Sequence, residues 1–337
     1  MKKIDLTRTL IETTVRRTLE KIQEAPEREI RNLVDFGLEF SNGRFQKKFL
    51  TAARKMLINE ESAYYTLIKD IVSNVDSERL MTFGINVGYE GCTKGAKTIR
   101  EIEATRHCNI PWFLSLSINE KKLEEDPDFY PAVLKQGVSL GIHTYLLSIA
   151  GDPAKIIPLL KSQPGCAFIL YLHGAQITKS FLTEFHAVRN VMISIYADEK
   201  MPEACKKLRD SHYLYAVYTH YTEWDAQHIL QGRWLEEVLP AQPTFGFIIP
   251  EPSCRKELQQ EIYSYILSIR DGQKYPIILM DVRQDGLMVD GVISSEACIV
   301  GLDENGNMRT QDGIYTNDSL NLFTHKLKDI LECHTEK

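Results

Sequence analysis

The feature that most constrains the fold of this sequence is a regular alternation of short apolar segments with helical segments, beginning near residue 81. The apolar segments are centred near the following residues, 23 to 31 positions apart: Asn86, Ser115, Tyr145, Ile169, Ile193, Ala216, Phe247 and Ile278. Each interval can hold the crossover helix that successive parallel strands require. The sequence therefore predicts an α/β fold, either a closed (β/α)8 barrel or a partial (β/α)6 TIM-type barrel.

Different patterns flank this alternation. Residues 1–80 carry only helical periodicity, which predicts four helices that act as a cap or as a docking surface for a protein partner. Residues 291–308 predict a hairpin that turns at Asn305-Gly306, and a helix is expected over Ser319–Leu331. We therefore expect a helical N-terminal region over 1–80, a barrel over 81–284 and a C-terminal extension over 285–337.

Composition narrows the class of partners. The 337 residues carry a formal net charge of −6, which disfavours a nucleic-acid-binding surface, and alternation along a strand accounts for Tyr213 and Tyr215 in a tyrosine-rich stretch. No run approaches the roughly 18 apolar residues of a membrane span. The seven cysteines include no Cys-x-x-Cys pair, which indicates free thiols in a reducing compartment. We expect a cytoplasmic protein that binds neither nucleic acid nor membrane.

A barrel of this kind carries its functional site at the carboxyl ends of its strands. Polar side chains there include Ser117, Tyr171, Tyr196, Asp198, Tyr218, Glu223 and Cys254. The narrower set of candidate ligand-binding residues is Asn86, Tyr89, Glu90, Cys92, Lys94, Asn119, Glu120, His173, His220, Glu251 and Asp281. No catalytic residue is assigned.

Two features of this set allow more than one interpretation. Cys92, close to Lys94 and a helix start, could be a reactive thiol or a small residue that fills a tight loop. His173, His220, Glu251 and Asp281 carry ligand types that suit a divalent metal, but no two of them have a short helical or strand spacing. We therefore assign no metal site.

Residues 112–174 resemble the radical S-adenosylmethionine family in the order and spacing of their turns. Ile118-Asn119-Glu120-Lys121 lies where that family has a Gly-Gly-Glu-Pro-like turn, and Gly141-Ile142-His143 resembles the start of its next strand. Ala150-Gly151-Asp152 and Leu172-His173-Gly174 lie where relatives often have Asn-Gly and Leu-Asp-Gly. The resemblance implies that Glu120 meets the amino group of S-adenosylmethionine.

The cysteine motif of that family is missing. Its members hold a [4Fe–4S] cluster through three thiolates in a Cys-x3-Cys-x2-Cys loop. Here only Cys92 is present, and Ala96 and Ile99 lie four and seven residues further on. The hairpin, which resembles the auxiliary-cluster region of peptide-modifying members, likewise contains only Cys298. The resemblance therefore implies a relative without an iron–sulfur cluster, with S-adenosylmethionine as the one cofactor to consider.

Three functional hypotheses follow. The first is a non-catalytic protein that holds a small molecule or a peptide at the mouth of the barrel. The second is a radical S-adenosylmethionine-type enzyme whose cluster is completed by another chain. The third is a metal-assisted barrel hydrolase or lyase.

Overall fold

The computed structural model describes residues 5–22, 24–39, 41, 43–294, 296–311 and 313–335. The N-terminal region folds as the four helices that the sequence predicts: α1 (Leu6–Ile22), α2 (Pro26–Glu39), α3 (Arg44–Met56) and α4 (Ala63–Asn74). Pro26 is the first residue of α2, where the missing N–H of proline has no helical partner to lose. Ile22, Ile30, Leu57 and Tyr65 form the core of this region. No helix in the described part of the chain is long and apolar enough to cross a bilayer.

The first predicted strand, which is centred near Asn86 and would span Met81–Tyr89, is wrong. The chain is instead helical without a break through α5 (Ser77–Ile85), a π-helical segment (Asn86–Gly95) and α6 (Ala96–Arg106). The side chain of Asp76 caps the start of α5 by accepting a hydrogen bond from the amide of Arg79 at 2.9 Å. A short apolar run does not distinguish a strand from a helix buried on more than one side, which explains the error.

The remaining predicted strands are present, and the fold class is confirmed as a partial TIM-type barrel. The strands are β1 (Phe113–Ile118), β2 (Thr144–Ile149), β3 (Ala167–Leu172), β4 (Val191–Tyr196), β5 (Tyr215–Tyr221), β6 (Phe245–Pro250), β7 (Ile278–Asp281), β8 (Val300–Leu302), β9 (Met308–Thr310) and β10 (Gly313–Tyr315). In the described residues they form one sheet in the order β10-β9-β8-β1-β2-β3-β4-β5-β6-β7. Strands β8 and β1 to β7 are parallel, whereas β9 and β10 are antiparallel to their neighbours.

The C-terminal hairpin is shorter than predicted and has an additional role. Residues 291–293 belong to a helix, and the hairpin consists of β8 and β9 with a turn in which Gly306 has a φ of 80°. Leu114 to Leu116 of β1 pair with Val300 to Leu302 of β8, so β8 takes the place beside β1 that the sequence assigned to Met81–Tyr89. The final helix begins at Leu327 rather than at Ser319.

Helices flank the sheet on its outer face. They are α7 (Glu120–Glu125), α8 (Phe129–Leu140), α9 (Ile157–Ser162), α10 (Lys179–Glu184), α11 (Met201–Asp210), α12 (Ala226–Leu230), α13 (Arg233–Val238), α14 (Lys256–Gly272), α15 (Val282–Ile293) and α16 (Leu327–Thr335). Alternate strand residues such as Leu116, Leu147 and Phe168 form the large core beneath them. The opposite, inner face contains Ala167, Met192, Ala216, Tyr218 and Phe247, against which Phe83 of α5 packs.

Helix α15 joins the two ends of the curved sheet. It starts at the end of β7, and its Asp290 carboxylate accepts hydrogen bonds from the amide of Trp112 at 2.8 Å and that of Cys298 at 2.7 Å, just before β1 and β8. Arg283 donates to the Gln259 side chain of α14 at 3.1 Å and to the Gln311 carbonyl between β9 and β10 at 2.6 Å. Helix α15 therefore links the end of β7 to the segments that precede β1 and β8 and to the segment between β9 and β10.

Candidate functional site

Five of the candidate residues lie at the amino ends of the strands, away from the expected site. They are Asn86, Tyr89, Glu90, Cys92 and Lys94. Asn86 donates hydrogen bonds to the carbonyls of Pro164 at 2.9 Å and Cys166 at 2.8 Å, both just before β3. Further along the same helix, a Cβ added to Gly95 would overlap the carbonyl oxygen of Gly141, which precedes β2. The helical segment 77–106 therefore crosses the end of the sheet opposite to the carboxyl ends of the strands.

Tyr89, Glu90 and Lys94 take part in contacts with the N-terminal region. The buried carboxylate of Glu90 lies 2.7 Å from Arg8 Nη1 and 3.2 Å from Lys94 Nζ. Tyr89 donates its hydroxyl hydrogen to the Asp5 carboxylate at 2.9 Å, and burial, assisted by that carboxylate, raises the pKa of Tyr89 to about 12. These pairs fix α1 against the helical segment, so the prediction that these residues sit at the barrel mouth is wrong.

Cys92 does not have the environment of a cluster ligand or of a reactive thiol. It is buried within the π-helical segment, and burial raises the pKa of its thiol to about 12, so the protonated form dominates at neutral pH. The six cysteines with described side chains are all free and buried. Among the described residues, no three His, Cys, Asp or Glu side chains form a group that could hold a metal ion. These residues do not fit a [4Fe–4S] cluster.

Asn119 and Glu120 do lie at the carboxyl end of β1. Asn119 caps α7 by accepting a hydrogen bond from the amide of Lys122 at 2.9 Å, and it donates to the Glu304 carbonyl at 2.8 Å. One carboxylate oxygen of Glu120 lies 2.7 Å from Lys155 Nζ. The other rests against Gly151, where an added Cβ would overlap it. The turn after β1 is thus a firmly held structure whose carboxylate already has a cationic partner.

Two histidine–carboxylate pairs lie side by side at the same end of the sheet. His173, after β3, has its Nδ1 3.6 Å from Asp198 Oδ2, after β4. His220, in β5, has its Nδ1 3.1 Å from Glu251 Oε1, after β6. Burial lowers the pKa of the His220 imidazole, although the adjacent Glu251 carboxylate opposes this shift. The structure therefore brings together three of the predicted residues, His173, His220 and Glu251, along with Asp198.

Asp281 points away from these pairs. It shares the outer face of β7 with Leu279, and it caps α15 by accepting a hydrogen bond from the amide of Gln284 at 2.7 Å. It is fully buried, and burial raises the pKa of its carboxyl to about 6. The four-residue metal site considered from the sequence does not assemble, because one of its ligands lies on the other face of the sheet.

Between the two histidine pairs lies a group of aromatic rings on the inner face. We call Tyr171, Tyr196, Tyr218 and Phe247 the inner-face aromatic patch. Ring centroids are 4.7 Å apart for Tyr171–Tyr218, 5.3 Å for Tyr196–Tyr218 and 6.3 Å for Tyr171–Phe247. Tyr171 and Tyr196 remain half-buried, whereas Tyr218 and Phe247 are buried, so the accessible part of the patch is formed by the first two rings.

Two hydroxyl groups, one in the patch and one next to it, have no hydrogen-bond partner among the described residues. They are the Tyr171 hydroxyl and the Ser194 Oγ, and Ser194 is completely buried. Tyr171 and Ser194 are register partners in β3 and β4, on the inner face of the sheet. Buried polar atoms usually acquire a partner, which in such a place is water or a ligand.

The sequence predicts the three tyrosines only as residues at strand ends, and it does not identify Phe247 and Ser194 as site residues. The sequence does contain a signal, a tyrosine followed two residues later by His or Asp near the carboxyl end of β3, β4 and β5: Tyr171-Leu172-His173, Tyr196-Ala197-Asp198 and Tyr218-Thr219-His220. Residues two apart in a strand share a face, so this repeat places each tyrosine directly below a polar group.

No protein-family model and no curated protein matches this sequence. Similar solved structures include those of Streptococcus suis SuiB, at 9% identity. SuiB itself gives a TM-score of 0.46, covering 71% of this chain and 70% of SuiB. SuiB bound to S-adenosylmethionine gives 0.46 and covers 62% of each chain. SuiB bound to the precursor peptide SuiA gives 0.44, covering 64% of this chain and 63% of SuiB. The overlap is too loose to transfer the ligands of SuiB to this chain.

Proposed function

We propose that this chain binds a small organic molecule at the carboxyl ends of β3 to β6 and acts without iron–sulfur chemistry. The inner-face aromatic patch is the observation that carries the proposal. Ligand pockets are typically lined by aromatic side chains with a few polar groups that orient the ligand. Here the patch supplies the apolar surface, and His173, His220, Glu251 and the unpartnered Tyr171 hydroxyl supply the polar groups.

The degree of burial supports a binding role for the patch. A filled barrel interior packs its inward side chains in layers that exclude solvent. At the amino end of this barrel, Phe83 and Met192 are buried in that way. Toward the carboxyl end, Tyr171, Tyr196 and Ile249 are only partly buried. When a ligand covers apolar surface of this kind, the burial favours binding by roughly 25 cal/mol per Å².

This chain resembles the radical S-adenosylmethionine family, and the position of Cys92 supports a non-catalytic role for it. A cluster of that type needs three accessible thiolates, and Cys92 is a buried thiol at the opposite end of the strands. We therefore infer that S-adenosylmethionine, if it is the ligand, is bound and not cleaved by this chain alone.

Calorimetry with S-adenosylmethionine on metal-free protein tests the proposal. We expect saturable binding that is weakened about tenfold by Tyr196→Leu, because the ligand loses an aromatic contact surface. Glu120→Ala should also weaken binding if the amino group lies where the family resemblance implies. Phe49→Leu is the matched control, since Phe49 is an exposed aromatic residue on α3 in the N-terminal region.

Two results would count against the proposal. Binding that is unaffected by substitutions in the patch would place the ligand elsewhere. Stoichiometric iron and sulfide after anaerobic purification, lost on Cys92→Ala, would instead establish a cluster protein.

An exposed tryptophan makes a peptide the second candidate for the ligand. Trp224, in the loop after β5, is 93% exposed at the same end of the barrel as His220. Exposed tryptophan is a frequent anchor in protein recognition. Peptide binding at this mouth should shift tryptophan fluorescence, and Trp224→Ser should abolish that shift while leaving small-molecule binding intact.

A further inference from the structure

We propose that the inner-face aromatic patch selects a ligand that carries a substituted ammonium group, such as a methylated or quaternary amine. This inference rests on the proposed function, since it specifies the chemical class of the ligand for the same site. Three observations carry it: the angles between the rings, the carboxylates at the rim and the absence of cationic side chains on this face of the described strands.

The angles between the rings favour a cation over a stacked planar group. The ring planes meet at 78° for Tyr171–Tyr218, 63° for Tyr196–Tyr218 and 61° for Tyr171–Phe247. Rings set at steep angles line a corner and do not form the flat surface on which a planar base stacks best. The negative faces of the half-buried Tyr171 and Tyr196 rings can attract a compact cation, as in the aromatic sites that bind quaternary ammonium groups.

The rim of the patch is negatively charged. Asp198 and Glu251 are partly exposed carboxylates, and each lies beside a histidine ring that contacts the patch. Burial lowers the pKa of the His220 imidazole, which favours its uncharged form beside the Glu251 carboxylate. A substituted ammonium group held over the rings would therefore gain Coulombic attraction from both carboxylates.

No cation of the sheet competes for these carboxylates. None of the inner-face strand residues from β1 to β7 is Lys or Arg. Beyond those strands, Arg255 lies 2.6 Å from Glu223 and Lys155 lies 2.7 Å from Glu120. Lys200, two residues after Asp198, donates its main-chain N–H to the Asp198 carboxylate at 2.8 Å. The same arrangement disfavours a phosphorylated ligand, which would need Lys or Arg as a partner.

Choline and 3,3-dimethylbutan-1-ol form a matched pair of probes, because the second replaces the charged nitrogen of choline by carbon with little change in shape. We expect the full-length protein to bind choline at least about tenfold more tightly than the neutral alcohol in calorimetry or in ligand-detected NMR. Tyr196→Phe should retain this preference, since the ring face remains, and Tyr196→Leu should reduce it. Phe49→Leu should leave it unchanged.

The charge-only variants Asp198→Asn and Glu251→Gln keep the test valid if a leucine variant fails to fold. Both sites are partly exposed, and both changes should reduce the preference for choline several-fold without changing the thermal unfolding midpoint. Equal affinity for the two probes, or binding of S-adenosylmethionine without any binding of choline, would overturn the inference of a substituted ammonium ligand and leave the proposed function standing. Failure of all three ligands to bind would contradict both.

Discussion

Asp281 is a buried carboxylate whose protonation should affect stability. Its folded pKa of about 6 lies above the usual 3.8, so the folded state binds this proton more tightly than the unfolded state does. The resulting stabilisation is complete below pH 3.8 and is lost as the pH rises through 6. Only one of its oxygens accepts a hydrogen bond in the described structure, and asparagine can supply the same cap.

Asp281→Asn should therefore raise the free energy of unfolding at pH 7.5, by on the order of 2 kcal/mol, and the gain should shrink toward pH 4. Urea denaturation at a series of pH values measures this. Asp152→Asn is the control, because Asp152 is an exposed cap whose carboxylate accepts from the amide of Ala154 at 2.9 Å. A loss of stability in Asp281→Asn that is equal at every pH would show that the charge of Asp281 is not the cause.

At the scale of elements, the helical segment 77–106 depends on a close contact between two main chains. Gly95 lies against Gly141, which ends α8 with a φ of 97°. A side chain at Gly95 would overlap main-chain oxygen and would push the helix away from the start of β2. Gly88, seven residues earlier, is exposed, and an added Cβ there meets nothing within 4 Å.

Gly95→Ala should destabilise the protein by about 1–3 kcal/mol, through steric displacement of the helix. Gly88→Ala should be neutral or stabilising by up to about 1 kcal/mol, because alanine has less freedom in the unfolded chain and favours helix. Chemical denaturation of the two variants side by side makes the comparison. Similar effects in both would mean that the contact with Gly141 is not important.

The element scale also explains the strand that was wrongly predicted. Met81, Phe83 and Ile85 alternate as strand residues would, and all three are buried. They lie in a helix between the N-terminal helices and the inner face of the sheet, so burial on more than one side hides the helical period. That environment is created by distant parts of the chain and leaves no local trace in the sequence.

At the scale of the whole molecule, α15 links the two sides of the partial barrel. Arg283 is the side chain that joins α14 to the segment between β9 and β10. Removing the Arg283 side chain should make β9 and β10, at the edge of the sheet, more mobile without affecting β3 and β4 inside it. The link is charge-assisted on the arginine side, and such hydrogen bonds contribute about 1.5–3 kcal/mol.

Arg283→Met should raise amide hydrogen exchange in β9 and β10 by about tenfold and leave β3 and β4 unchanged. Mass-spectrometric exchange resolves these segments. Arg255→Met is the control, since Arg255 makes an exposed ion pair with Glu223 and joins no strands. Faster exchange throughout the sheet, or none in β9 and β10, would contradict the assigned role of Arg283.

The sequence by itself determined the four N-terminal helices and seven of the eight predicted strand positions. It also placed five of the candidate residues at the carboxyl ends of the strands: Asn119, Glu120, His173, His220 and Glu251. These follow from local signals, because strand period, helix period and turn residues are read over a few neighbours. The three-part division of the chain and the binding roles of individual residues stay predictions.

Only the tertiary structure decided that Val300–Leu302 pairs with β1, that Asp281 faces outward and that Cys92 lies at the far end of the strands. It alone grouped Tyr171, Tyr196, Tyr218 and Phe247 into one patch. Each of these facts depends on contacts between residues far apart in the chain. Such contacts are set by how the whole sheet curves and by what covers its faces, which no short stretch of sequence specifies.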